Sequence, residues 1–171
     1  DTEFIAFCDI DDVWPEQKLL VQLGELQKSD ASWSYHGRHI LINGEPTGQF
    51  IEAKPIDTMF KILTTRYVGL SSVVIRTDIA AHLPSLEGEY LAEDYIWWSH
   101  LMARSGPPLA IYGVFYDYNI HKGSSSLNKL KMAVAAFDVY CVRNVVPVSR
   151  SFAFIAFVVY AFSSIAGIIA G

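Results

Sequence analysis

The sequence predicts an α/β domain, a mixed sheet flanked by helices and followed by a C-terminal hydrophobic helix. Three observations predict it. A continuous apolar run at residues 4–8 ends in carboxylates, amphipathic helical periodicity alternates with short β-rich runs over residues 15–143, and residues 151–171 carry no charge. The organisation expected is a main domain over residues 1–146 and a hydrophobic helix within residues 147–171, membrane-associated or transmembrane. With 171 residues, 51% of them hydrophobic, the chain is long and apolar enough to bury one core.

The elements follow in order. Residues 4–8 are apolar without alternation, the pattern of a strand covered on both faces, and are expected in the middle of the sheet. Pro15 opens a helix with Glu16 in its first turn and Leu19, Leu20, Leu23 and Leu26 along one side, ending near Lys28. Residues 31–35 and 39–42 read as two short strands around a turn at Gly37, with a second turn at residues 43–46. A short helix is expected over 56–64, a strand over 70–75, and another short helix from Thr77 or Asp78 to before Pro84. A loop runs through Gly88. Trp97, Trp98, Leu101 and Met102 recur at helical spacing over 93–104, and Gly106-Pro107-Pro108 ends that helix. A strand over 109–118, a polar loop at 122–126 and a helix over 127–143, broken by Pro147, complete the domain.

Charge and cysteine usage exclude some classes. Acidic residues outnumber basic ones by 18 to 13, and the net charge of −5 gives no general reason to expect a nucleic acid partner. Two cysteines, Cys8 and Cys141, make no disulfide framework and have no neighbours spaced for zinc. About 20 apolar residues suffice to span a bilayer, and residues 152–170 reach about that length, with Arg143 and Arg150 ahead of them as on a cytoplasmic flank. The expected location is the cytoplasmic side of a membrane, peripheral or single-span; a buried or interfacial helix is the plainer alternative.

Asp9, Asp11 and Asp12 lie immediately beyond a strand, where open α/β sheets bind ligands. Three carboxylates within four residues repel one another unless a cation or protons intervene, so a divalent metal, magnesium or manganese, is the economical explanation. A solvated acidic turn capping the next helix is the structural alternative.

Residues 4–14, with Glu16, Lys18, Leu19 and Gln22, resemble the stretch that holds the metal-binding carboxylates in family-two glycosyltransferases of the GT-A fold. Residues 70–76 are similar to the family's serine-rich strand on the acceptor side, Ala92-Glu93-Asp94-Tyr95 with Trp97 to its Glu-Asp motif, and Tyr118-Asn119-Ile120-His121 with Gly123 and the serines 124–126 to its tyrosine-to-histidine segment. The resemblance covers residues 4 to about 145, and the four motifs stand in the family's order.

It implies a partial GT-A sheet and transfer of a sugar from a nucleotide-diphosphate sugar to a hydroxyl of a saccharide or lipid-linked acceptor, with inversion. Asp12 would be the metal ligand; Asp11 would contact the metal or the nucleotide ribose; Asp9 would orient the turn and its partners on the donor side. His121 would approach the metal or the diphosphate, or serve as a hydrogen-bonded structural residue. Asp94 would be the base that takes the acceptor's proton. Glu93 and Asp94 also suit an ordinary helix start, where the dipole favours acidic residues. Trp97 and Trp98 are expected in the core. Asn119 departs from the family, which often has arginine there. The family also carries a preceding nucleotide-binding half, so a chain beginning at Asp1 is expected to be a fragment lacking it.

Two rival readings remain open to the sequence. Residues 9–13 also resemble the aspartyl-nucleophile motif of haloacid-dehalogenase-like phosphatases, in which Asp9 would attack phosphorus and Asp11 would act as acid and base; that motif usually has glycine where Asp12 stands. The other is an inactive, membrane-attached binding module that retains a transferase fold.

Overall fold

A computed structural model of the chain describes residues 2–86, 92–124 and 127–169; the expected loop at Gly88 and the serines Ser125 and Ser126 lie outside the described residues. The strands are β1 (Phe4–Ala6), β2 (Trp33–Ile42), β3 (Glu45–Ile51), β4 (Val74–Arg76) and β5 (Leu109–Ile120). The helices are α1 (Lys18–Gln27), α2 (Met59–Thr64), α3 (Thr77–Ala80), α4 (Glu93–Ser105), α5 (Lys129–Phe137) and α6 (Arg150–Ile169), with a π-helical turn over Asp138–Val142 continuing α5. The five strands form one mixed sheet flanked by helices, as expected.

Strand β2 is the hub of this sheet. Its first residues pair antiparallel with β4 (Trp33 opposite Ile75), its later part pairs antiparallel with β3, and its length runs parallel to β5. The expected break at Gly37 does not occur: the residue lies inside β2, where a Cβ would come within 2.6 Å of both the Ile51 carbonyl oxygen and the Phe115 ring. Glycine is used there for close approach, at an irregularity in the β2–β5 register, rather than for a turn. The Asn43-Gly44 turn does form, with φ of 51° and 85°, and it joins β2 to β3, a strand the Pro46 and Gly48 punctuation had concealed.

Strand β1 corrects a second expectation. Among the described residues it pairs only with β4, at the end of the sheet rather than in its middle, and Ile5 is 37% exposed. A short unalternating apolar run fits one covering face as well as two when it stays only three residues long. Helix α1 is also turned from the face its leucines suggest: Lys18, Gln22 and Leu26 are buried, whereas Leu19 and Leu20 are exposed. Hydrogen bonding from Gln22 to the sheet, described below, outweighs the leucine stripe in setting this face. The segment at residues 70–75 divides into a 3₁₀ turn at Leu70–Ser72 and β4.

The main core lies between the sheet and helices α2, α4 and α6. Trp98 is buried and stacks on Trp33 at 5.8 Å, and Trp97 stacks on Phe7 at 5.7 Å, so both tryptophans belong to packing. Ala153, Ala156 and Tyr160 of α6 are buried in the same cluster, whereas Phe154, Ile155 and Phe162 of α6 are more than half exposed. The hydrophobic C-terminal helix therefore forms and docks one side on the core. Among the described residues no helix is long and apolar enough to cross a membrane, so the single-span expectation for residues 152–170 gains no support.

Candidate active site

The acidic loop leaves β1 and is pinned from three directions. The Asp9 backbone N–H donates to Ser71 Oγ at 2.9 Å, the Trp14 indole donates to the Ser71 carbonyl at 2.9 Å, and Val13 exchanges backbone hydrogen bonds with Asp117 of β5 at 3.1 and 2.9 Å. Beneath it, Gln22 donates to the Ser72 carbonyl at 2.7 Å and to Ser34 Oγ at 3.2 Å, while Lys18 donates to Gln22 at 3.0 Å and lies 3.8 Å above the Trp14 ring. Ser34, Ser71 and Ser72 are fully buried. The Ser71 and Ser34 hydroxyls accept the Asp9 N–H and the Gln22 amide where an apolar side chain would leave those donors unsatisfied.

The three carboxylates have different surroundings. Asp12 is buried; its Oδ1 accepts the Asn119 N–H at 3.3 Å, and Ser71 also bonds the carboxylate, yet Oδ2 is buried with no partner. Burial raises its pKa to about 6 against the lowering effect of those hydrogen bonds. Asp11 Oδ2 lies 3.0 Å from His121 Nε2, and His121 Nδ1 accepts the Gly123 N–H at 3.1 Å. Since a neutral imidazole carries one proton and Nδ1 is an acceptor, that proton sits on Nε2 and points at Asp11. Asp9 is exposed toward the cavity beside the loop, with its pKa raised first by burial and then by Asp11.

Asp94 lies in the first turn of α4 and lines the same cavity as Asp9. Its carboxylate accepts the Tyr95 N–H at 2.9 Å, and burial, aided by Glu93, pushes its pKa up to about 6. Glu93 senses Asp9 electrostatically, so the helix start and the acidic loop adjoin. A carboxylate with such a pKa is mostly ionised at neutral pH and accepts a proton more readily than an ordinary aspartate. The structure thus brings Asp9 and Asp94 to one cavity and pairs Asp11 with His121, with Asp12 between the loop and β5.

A metal can be accommodated. Among the described residues no group of three or more His, Cys, Asp or Glu side chains is arranged as a cage, but magnesium and manganese typically use one or two protein carboxylates together with water and phosphate oxygens. The orphaned, buried Oδ2 of Asp12 and the neighbouring Asp11 fit that donor set.

Sequence reading missed Arg38, Arg66 and Lys129, which also line the cavity. They stand in β2, in a loop and at the start of α5, so no local spacing links them. The buried serines were signalled by the Ser71-Ser72 pair within an apolar run, but their hydrogen bonds to residues 9–22 were not.

The fold is a mixed α/β sheet flanked by helices, similar to the glycosyltransferase fold of the solved structure named below. No protein-family model matches the chain. It is 28% identical over 136 residues to the Escherichia coli protein "UDP-Glc:alpha-D-GlcNAc-diphosphoundecaprenol beta-1,3-glucosyltransferase WfgD", covering 80% of this chain and 53% of that one. It is 25% identical over 138 residues to the "Putative teichuronic acid biosynthesis glycosyltransferase TuaG" of Bacillus subtilis (strain 168), covering 80% and 54%. The chain therefore spans about half the length of the curated relatives it matches. Among solved structures, that of S. aureus TarS 1-349 superposes with a TM-score of 0.53 at 16% identity, covering 94% of this chain and 46% of TarS 1-349, a likeness of fold.

Proposed function

We propose that the protein transfers a sugar from a nucleotide-diphosphate sugar to a hydroxyl of a saccharide or lipid-linked acceptor in cell-surface polysaccharide synthesis, in one inverting displacement. The observation that carries this reading is the shared cavity of Asp9 and Asp94 beside the Asp11–His121 pair and the orphaned Asp12 oxygen. The relatives' names agree with it.

Asp94 takes the proton of the attacking acceptor hydroxyl, the role its raised pKa suits. Asp12 and Asp11 would hold magnesium or manganese, which would supply positive charge to offset the negative charge of the leaving diphosphate. His121, held as the Nε2–H tautomer, fixes the Asp11 carboxylate and stands on the donor side. Asp9 shapes the loop, its carbonyl accepting the Asp12 N–H at 3.2 Å. Attack from the Asp94 side and departure from the Asp11–Asp12 side invert the anomeric carbon.

Calorimetric titration with UDP-sugars, with and without manganese, tests the reading. Metal-dependent binding lost in Asp12→Asn is expected; a phosphoaspartate trapped on Asp9 would instead establish the phosphatase chemistry.

We further propose that α6 attaches the protein to the cytoplasmic face of a membrane. Phe154, Ile155, Val159 and Phe162 project from its exposed side, an apolar surface suited to an interfacial helix. Flotation with anionic vesicles is expected to be lost in Phe154→Ser/Phe162→Ser; unchanged flotation removes α6 from that role.

A further inference from the structure

The cavity that holds Asp94 has a second, cationic wall. Arg38, Arg66 and Lys129 converge on it from β2, the loop after α2 and the start of α5. Arg38 donates to the Arg66 carbonyl at 2.8 Å and sits 5.2 Å from the Tyr118 ring centre, while its Nε is buried without a partner. Gly69 makes this placement possible: a Cβ there would come within 2.6 Å of Arg38 Nη1 and closer still to the Tyr116 hydroxyl. The Lys129 ammonium is lowered by burial and then by Arg66 and Arg38, so the three charges sense one another. Among the described residues none of the three is within ion-pair distance of a carboxylate, although Asp9 and Asp94 line the same cavity and Asp94 senses Arg38.

Three cations against the carboxylates of Asp9 and Asp94 leave the recess net positive, and an anion shared among the three cations stabilises them. The recess measures about 210 Å³, less than the ~300–1,000 Å³ that encloses a whole small molecule. It therefore takes a charged portion of a larger ligand. The donor's diphosphate belongs with Asp11, Asp12 and His121, whereas these cations share their cavity with the proposed base. We propose that Arg38, Arg66 and Lys129 form an anion subsite for a phosphate or diphosphate carried by the acceptor. This rests on the sugar-transfer reading, and it narrows the acceptor to one that presents its hydroxyl to Asp94 while its phosphate is held on the cationic wall. A neutral saccharide would leave that wall unmatched.

The test is a calorimetric titration of this chain with inorganic pyrophosphate in EDTA at low salt, repeated with saturating UDP and manganese. Pyrophosphate should bind without divalent metal and still bind when UDP is present. Arg66→Gln and Lys129→Gln, both exposed at the rim, should each weaken binding about tenfold with unchanged circular dichroism, and Asp12→Asn should leave it intact. Absence of binding to the parent chain, binding unmoved by both rim variants, or competition between pyrophosphate and UDP would overturn the proposal; the last would assign the phosphate to the donor side. A chain that binds pyrophosphate on the cationic wall but takes no nucleotide sugar would refute the transfer reading and leave the anion site standing.

Discussion

Replacing Asp94 with asparagine should make the protein more stable at neutral pH while removing its proposed activity. The carboxyl ordinarily titrates near 3.8 and is pushed to about 6 in the fold, chiefly by burial. That difference of about two units, at about 1.4 kcal/mol each, sets an upper bound of about 3 kcal/mol for the cost of keeping the charge. The side chain keeps a face toward the cavity, and solvent screening reduces this to about 1–2 kcal/mol. Because the folded pKa lies above the unfolded one, the cost is absent below pH ~4, develops as pH rises from there through about 6, and is complete at pH 7. Asparagine is neutral throughout and its side-chain oxygen can still accept the Tyr95 N–H. Urea unfolding of the parent and Asp94→Asn should therefore give a gain of about 1–2 kcal/mol at pH 7 that disappears at pH 4, where the other carboxylates contribute equally to both proteins. An equal difference at both pH values, or a less stable variant at pH 7, would refute the reasoning. Sugar transfer should fall about 10²–10⁴-fold in the same variant, and in the parent it should decline below pH ~6 as Asp94 is protonated.

Manganese at about 100 times its dissociation constant should stabilise the protein by about 2.7 kcal/mol, read as a shift in thermal midpoint. Asp12→Asn should abolish the shift, and an equal shift in that variant would place the ion elsewhere. His121→Ala removes the donor to Asp11 and should weaken UDP-sugar binding about tenfold, the effect of losing one hydrogen bond to a charged group; unaltered affinity by calorimetry would detach the pair from the donor side. Gly37→Ala forces a Cβ against the Ile51 carbonyl and the Phe115 ring and should cost about 1–3 kcal/mol in chemical denaturation. No loss would contradict the close approach of β2 to its neighbours.

What the sequence made legible was local in origin. The periodicity of α4, the Asn43-Gly44 turn and the acidic loop beyond β1 are properties of neighbouring residues, and each forms where expected. The misreadings share a different cause. Gly37 carries the signal of a turn, and only the chain segments at Ile51 and Phe115, distant in sequence, show that it serves close packing. The leucines of α1 predict one buried face, but Gln22 finds three partners on Ser34 and Ser72 and rotates Lys18 inward with it. A polar side chain satisfied at once on β2 and on the 3₁₀ turn before β4 outweighs an apolar stripe that has no surface to meet. Arg38, Arg66 and Lys129 are spread over more than 90 positions, and only the sheet and α5 bring them to one cavity.

The same distinction explains how the site acquires its electrostatic division. The carboxylates arrive together because they are adjacent in sequence, and their repulsion is met by neutral donors: the Ser71 hydroxyl, the Asn119 backbone N–H and the Nε2–H of a neutral His121. None of these donors cancels the charge, which suits the loop to the proposed cation. The arginines and the lysine arrive separately in the cavity that Asp9 and Asp94 also line, and among the described residues they form no ion pair with a carboxylate. Direct pairing of the two groups would neutralise both, and a ligand would have to compete with the pair. Left unpaired, the two groups suit the proposed transfer, whose two substrates would both be anionic and would meet at a carbon and a hydroxyl that are not.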